Sequence, residues 1–265
     1  MAEQHSSETK LIQCVISKVG KDQKALGLDM IAAFDVHESI ESPFMTAFLT
    51  ISDSKNFIND YPIEGGERIR VEVKSTFSEA PIVYDNFVVD KITARIIKNK
   101  KQVYVLNLTS PEALINEGVR VMDPLTGNPE AIVEKMLGKE YLAATKELFS
   151  EPSRFEIKLI PARTRPFDII ASLLKKSVSS KTTYTGQKYS KYEENRQNRP
   201  NSNSKPVKGS AGFFFWETRR GYNFFSIDAL CDTSENGKFI FKDKKKGDKE
   251  SKPRLQSEAW GPYIE

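Results

Sequence analysis

The side chains that most often do chemistry are scarce in this sequence. It contains two histidines, His5 and His37, and two cysteines, Cys14 and Cys231. A zinc site would need all four to converge from distant positions, and no two of them have metal-ligand spacing. His37 beside Glu38 has the form of a base and its orienter, but no serine or cysteine lies in a setting that would make it a nucleophile. A surface or interface histidine is the expectation. The acidic pairs Asp85 with Asp90 and Glu193 with Glu194 fall in strand-end or loop contexts, which do not by themselves make two carboxylates converge. The Gly65–Gly66 pair in YPIEGGE lacks the spacing and the following helix of a nucleotide-binding loop, so an ordinary scaffold turn is expected. No catalytic residue, cofactor or metal site is therefore expected, and Cys14 and Cys231 are expected to be reduced, buried thiols.

Cations and aromatics offer more. Trp216, Arg219, Arg220 and Tyr222 lie close together in GFFFWETRRGYNFFSIDALC, and Arg68 and Arg70 project from one side of RIRVEVKS. Arg and Trp are enriched where subunits bury against each other, so these six are the candidate interface residues, with core and turn packing as the alternative. Between Lys181 and Lys208 seven basic residues face two acidic ones, and between Lys242 and Arg254 seven face three. The formal charge of +4 is thus concentrated in two polar segments, and the rest of the chain is slightly acidic. Tyr184, Tyr189 and Tyr192 among the lysines of the first segment have the mixture of a nucleic-acid tether. A solvated arm ordered by a neighbouring subunit is the preferred reading. The second segment is expected to be a solvated face or a partner-docking tail.

These side chains need elements to hold them. LIQCVISKV, LDMIAAFDVHESI and MTAFLTISD read as strands, the third with Met45, Ala47, Leu49 and Ile51 on one face. RIRVEVKS sets Ile69, Val71 and Val73 against Arg68, Arg70, Glu72 and Lys74, a sheet with one dry and one charged face. YDNFVVDKITARIIK and KQVYVLNLTS follow as two long strands, turning around Asn99. About six strands over residues 11–110 predict a small barrel or sandwich, and closure into a barrel would remove exposed edges.

Residues 111–178 predict a helical insertion. SPEALINEG and NPEAIVEKMLGKEYL each place a capping residue, Ser110 or Asn128, before a proline at the first helical position, and Glu140 to Ser150 read as a further turn or two. FEIKLIP gives a strand over 155–160 with Phe155, Ile157 and Leu159 on one side. TRPFDIIASLLKKSV gives an amphipathic helix from Phe167 to Val178 with Phe167, Ile170, Leu173 and Leu174 as its stripe. A polar flexible arm spans 179–210. The region 211–265 returns to the core through an aromatic strand, a turn at Arg219 to Tyr222, a strand or short helix ending near Cys231, and a strand in KFIFKDKK. The expected fold class is mainly β with α insertions (α+β), built on a small barrel or sandwich. No run is long and apolar enough to span a bilayer, and the polar start MAEQHSSETK does not read as a secretion signal, so a soluble protein is expected.

With its elements in this order, the chain resembles the central baseplate hub protein of contractile-tailed bacteriophages, and is similar to the hub domains of type VI secretion spike proteins. The stretches that carry the resemblance are HESIESPFMTAFLTISDSKNFINDYPIEGGERIRVEV, His37 to Val73, and GFFFWETRRGYNFFSIDALC, Gly212 to Cys231. The resemblance implies a virion protein of the tail baseplate, assembled in the host cytoplasm. It implies a homotrimer in which two small tube-type β-barrel domains per chain give a ring of six, joining a tail tube protein above to a spike protein below. DNA would pass through without specific binding. Other baseplate proteins would dock on the 181–208 arm and the basic C-terminal tail. The family's second barrel needs more strands than 211–265 supplies, so here it is expected to be minimal, completed by other proteins, or cut short. The alternatives are another tail, neck or tube-completion protein of ring symmetry, or a basic nucleic-acid-binding module; an enzyme has no constellation in its favour.

Overall fold

Strict alternation in one strand sets the core. In the computed structural model, which describes residues 9–18, 23–75, 80–98, 101–180, 211–231, 239–240 and 256–257, Met45, Ala47, Leu49 and Ile51 are each at most 1% exposed. They belong to β4 (Thr46–Asp53) and the residue before it. Burying side chains of this size contributes about 1.5–3 kcal/mol for each of the larger ones.

Around β4 the chain builds a seven-stranded antiparallel sheet from β1 (Thr9–Ser17), β2 (Lys24–Ala25), β3 (Ile31–His37), β5 (Arg68–Ser75), β6 (Ile82–Lys98) and β7 (Lys101–Thr109). Its order is β2-β1-β5-β6-β7-β4-β3. The fold is mainly β with α insertions, as expected, but the sheet curls into a half-barrel whose hydrogen-bond ladder ends at β2 and β3 rather than closing. Between those ends a 3-10 turn at Leu28–Met30 follows β2, and Leu26 and Met30 enter the core there. The core of this layer includes Cys14, Ile16, Ile69, Val71, Phe87, Tyr104 and Leu106.

The connection from β4 to β5 holds a turn of helix that the sequence did not announce, α1 (Phe57–Asp60). Buried Asp53 builds it by accepting the N–H groups of Lys55 at 3.0 Å and Ile58 at 3.1 Å. The turn expected around Asn99 lies outside the described residues.

The second layer has a core of its own, in which Val121, Ile132, Val133, Met136, Leu142, Ile169, Ile170, Leu173, Phe213, Phe215, Tyr222 and Phe224 meet. Its helices are α2 (Pro111–Gly118), α3 (Pro129–Leu137) and α4 (Pro166–Leu174), each with a proline in its first turn. Its strands are β8 (Leu125–Gly127), β9 (Glu147–Ser150), β10 (Ile157–Leu159), β11 (Phe213–Glu217) and β12 (Gly221–Ser226), and α5 (Ile227–Cys231) follows β12.

Several expectations are corrected here. The region from Glu140 to Ser150 does not continue as helix. The chain turns after Gly138, with Ala143 at φ 50° donating its N–H to the Gly138 carbonyl, and β9 pairs in parallel with β12. The strand expected over 155–160 is only β10, paired with β8, and Phe155 and Ile160 are exposed at its flanks. Helix α4 stops at Leu174 rather than Val178, because the Leu173 carbonyl collects the N–H groups of Lys176 and Ser177 and the Ser177 hydroxyl. Neither Ser110 nor Asn128 caps its helix with its side chain.

In the expected second barrel region the described residues form an antiparallel hairpin, β11 with β12, extended by β9. Phe239–Ile240 pairs with Gln256–Ser257, so a short strand does fall within KFIFKDKK. The arm beyond Ser180 and the basic run from Lys242 to Arg254 lie outside the described residues, as do His5, Glu193 and Glu194.

Candidate assembly interface and the junction beneath it

Strand parity divides the aromatic hairpin. Phe213, Phe215 and Glu217 on β11 point inward with Tyr222, Phe224 and Ser226 on β12, while Phe214, Trp216, Asn223 and Phe225 form the half-buried outer face. Trp216 packs against Phe225 with ring centroids 6.3 Å apart. Tyr222 is different: it is fully buried and stacks on Phe215 at 5.6 Å with the rings 4° from parallel. Among the six interface candidates, Tyr222 is thus a core anchor. Arg219 is partly buried and Arg220 exposed in the turn between the strands, and the Arg219 N–H is held by Glu38 Oε1 at 3.0 Å. That bond commits Glu38 to the hairpin, while the exposed His37 ring lies edge-on to Phe48 at 5.2 Å.

Arg68 and Arg70 stand exposed on β5, so they belong to the large sheet and the other four candidates to the small one. Arg70 Nη2 meets Glu72 Oε1 at 2.7 Å, which partly neutralises the charged face. Asp85 and Asp90 are both exposed on β6.

Beneath the hairpin lies a group the sequence reading missed. Glu217 Oε2 accepts the Met45 N–H at 2.8 Å and the Ser110 hydroxyl at 2.5 Å, and Glu217 Oε1 takes Lys146 Nζ at 2.5 Å. Lys146 also donates to the Thr218 carbonyl at 3.2 Å. Ser110 is drawn into this network, which is why its hydroxyl leaves the end of α2. Glu112 and Tyr222 border the same group, both buried. One signal was available: in FFFWE the parity that buries Phe213 and Phe215 also buries Glu217, and a carboxylate inside an aromatic face demands partners. The adjoining cavity, reached by Asp85, Asn86, Lys146 and Arg219, has a volume of about 20 Å³, room for one water and not for a substrate.

Two further carboxylates gather the donors around Ser153 and Ser179. Buried Glu151 accepts the Ser226 N–H at 2.9 Å, the Ser226 hydroxyl at 2.7 Å and the Ser179 hydroxyl. Glu130 holds the N–H and hydroxyl of Ser153. Val178 bridges to Ala211.

The loop over Gly65 and Gly66 is the scaffold turn expected. Both glycines have positive φ, 106° and 82°, which glycine adopts without strain. The N–H groups of Glu64 and Gly65 are already taken by the Glu67 carboxylate, at 2.8 and 2.9 Å, and Lys18 Nζ lies 3.3 Å from it. The chain supplies its own anion where a phosphate would have to bind. Among the described residues no three His, Cys, Asp or Glu gather as metal ligands, and no helix is long and apolar enough to cross a membrane.

No family model matches the chain, and no curated protein matches it. Among solved structures it is similar to the tail protein from Neisseria meningitidis MC58, with a TM-score of 0.45 and 8% identity over 80% of this chain and 49% of that one. It is also similar to the 43 kDa tail protein of prophage MuSo2 from Shewanella oneidensis, with a TM-score of 0.40 and 11% identity over 64% of this chain and 51% of that one. The chain spans about half the length of each.

Proposed function

We propose that this chain is a structural, non-enzymatic component of a phage tail: the baseplate hub, a homotrimeric ring that joins the hexameric tail tube above to the trimeric spike below and leaves a channel for DNA. The observation that carries the reading is the half-barrel itself. One face of its sheet is sealed by a continuous apolar core and the other is wet and of mixed sign, with Arg70 paired to Glu72. A wall of this kind lets a polyanion pass without holding it, because tight DNA binding needs many unpaired cations acting together. The stretches 37–73 and 212–231, on which the resemblance to baseplate hubs rests, form β4, β5 and the aromatic hairpin. The outer hairpin face with Trp216, Phe225 and Arg220 is the surface we assign to subunit contact. The arm rooted at Val178 and Ala211 is the segment we assign to neighbouring baseplate proteins.

The test is the solution mass of the purified chain at several concentrations, followed by negative-stain class averages of the species found, alone and with tail-tube and spike proteins. A trimeric ring that binds both partners supports the hub. A hexameric ring would move the chain to another tail or neck role. A monomer that persists at high concentration and ignores both partners would sink the ring reading, and salt-dependent DNA binding through the two lysine-rich segments would put a nucleic-acid module in its place.

A further inference from the structure

Where the hairpin layer meets the half-barrel, two buried carboxylates lie near one lysine. Glu217 is saturated by Met45, Ser110 and Lys146. Glu112, in the first turn of α2, is 1% exposed, and its Oε2 has no hydrogen-bond partner. The groups that face it come from every neighbouring element: Glu217 from β11, Tyr222 from β12, Lys146 and the backbone N–H of Thr145 from the segment before β9, and its own N–H. The Tyr222 hydroxyl is buried on the same side and faces the Glu112 carboxyl.

The charge count decides the state of Glu112. Lys146 is committed to Glu217 at 2.5 Å, so a second negative charge would face the Glu217 charge with only its own N–H, the Thr145 N–H and an already engaged lysine to hold it. Proteins avoid an unpaired buried carboxylate by keeping it protonated. We infer that Glu112 is a neutral carboxylic acid in the folded protein, and that the contact between α2 and the β11–β12 hairpin is a proton-dependent latch, tight while Glu112 holds its proton and loosened when it ionises.

The direction of the Glu112 pKa agrees: burial raises it above the ordinary glutamate value and the Glu217 charge adds to the rise, against the lowering effect of its own N–H, Lys146 and the Thr145 N–H. A raised folded-state pKa means stability that is fully present below the ordinary glutamate value and lost as pH rises through the folded one. The latch therefore loosens as pH rises above the ordinary glutamate range. It opens at a defined place, between α2 and the β11–β12 hairpin.

The experiment is a carboxyl-carbon NMR titration of the full chain with labelled glutamate, with Glu112→Gln to assign the resonance. The expected result is one glutamate that keeps its proton after the exposed glutamates have lost theirs, and whose signal is missing from the variant. Thermal unfolding gives the second readout: the Tm of Glu112→Gln should gain on that of the wild type as pH rises. The inference is overturned if Glu112 ionises together with the exposed glutamates, or if variant and wild type keep a constant Tm difference across the range. Should Glu112→Gln fail to fold, a wild-type titration in which every glutamate ionises in the ordinary range overturns it, and one late glutamate, assigned by its through-space contact with the Tyr222 ring, sustains it.

Discussion

Glu217 accepts the backbone N–H of Met45 at 2.8 Å across 172 positions of sequence. This bond ties the inward face of the hairpin to the residue that leads into β4, and the same carboxylate holds Ser110 and Lys146. Removing it leaves a lysine, a hydroxyl and a backbone donor without their acceptor. Glu217→Ala is expected to cost about 3–5 kcal/mol in urea unfolding, the range for breaking a buried pair from one side. Glu217→Gln keeps an oxygen for Met45 and Ser110 and should cost less. A loss for Glu217→Ala of under about 1 kcal/mol, the level of an exposed ion pair, would remove the junction from the account of stability.

Tyr104 tests the opposite situation. It is fully buried on β7, and its hydroxyl has no hydrogen-bond partner. Tyr104→Phe deletes an unsatisfied polar group and should leave stability unchanged or raise it, by up to about 1–3 kcal/mol. Tyr104→Ala opens a cavity and should cost about 3–5 kcal/mol. Equal losses for both variants in denaturant titrations would show that the hydroxyl has a partner.

Two glycines should respond for different reasons. A Cβ on Gly221 would lie 2.5 Å from the Glu147 carbonyl and 2.8 Å from the Phe149 ring. Gly221→Ala should therefore force β9 from β12 and lower stability by about 1–3 kcal/mol, the cost of overpacking. Gly66 has open space around it but a φ of +82°. Gly66→Ala should cost only about 1 kcal/mol, from backbone strain. Thermal unfolding of the two variants under one condition checks the ranking.

Glu67 sets an acid limit. Burial by itself would raise its pKa, but the N–H groups of Glu64, Glu67 and Gly65 together with Lys18 outweigh burial and lower it. A lowered pKa means stability that is present above the ordinary glutamate value and lost as pH falls through the folded one. Glu67→Gln should be less stable than the wild type near neutrality, and the deficit should shrink as pH falls below the glutamate range. A deficit that stays constant in acid would remove the carboxylate charge from the explanation.

Cys14 is fully buried, and burial pushes its thiol up to about 12. Thiolate is the reactive form, so in a Cys231→Ser background a disulfide reagent at mildly alkaline pH should find no reactive thiol until denaturant is added. Rapid labelling of the native protein would place Cys14 at an opening of the half-barrel.

Much of this architecture was legible in short-range pattern. The alternation of Met45, Ala47, Leu49 and Ile51 names a strand and its buried face at once, because neighbouring side chains of a strand point to opposite sides. Pro111 and Pro129 mark helix starts because the first N–H groups of a helix need no partner within it. Strand β9 was not legible. Four residues, Glu147–Ser150, carry no clear period, and what makes them a strand is the parallel edge of β12, far along the chain.

The candidate site divides in the same way. Sequence placed Trp216 on a strand and Arg219, Arg220 and Tyr222 in the turn after it, because their spacing is local. It could not tell that Tyr222 would be sealed in the core while Trp216 kept a half-open face, since that depends on which side of the hairpin the second layer covers. By itself the sequence determined the strand parities, the helix starts and the mainly β class, all of which depend on residues a few positions apart. Only the tertiary structure decided that the sheet stops at a half-barrel and that Glu217, Lys146 and Ser110 form one buried group with Glu112 beside it. The ionisation and pairing of a carboxylate depend on what the fold brings within about 3–4 Å, and no local pattern carries that information.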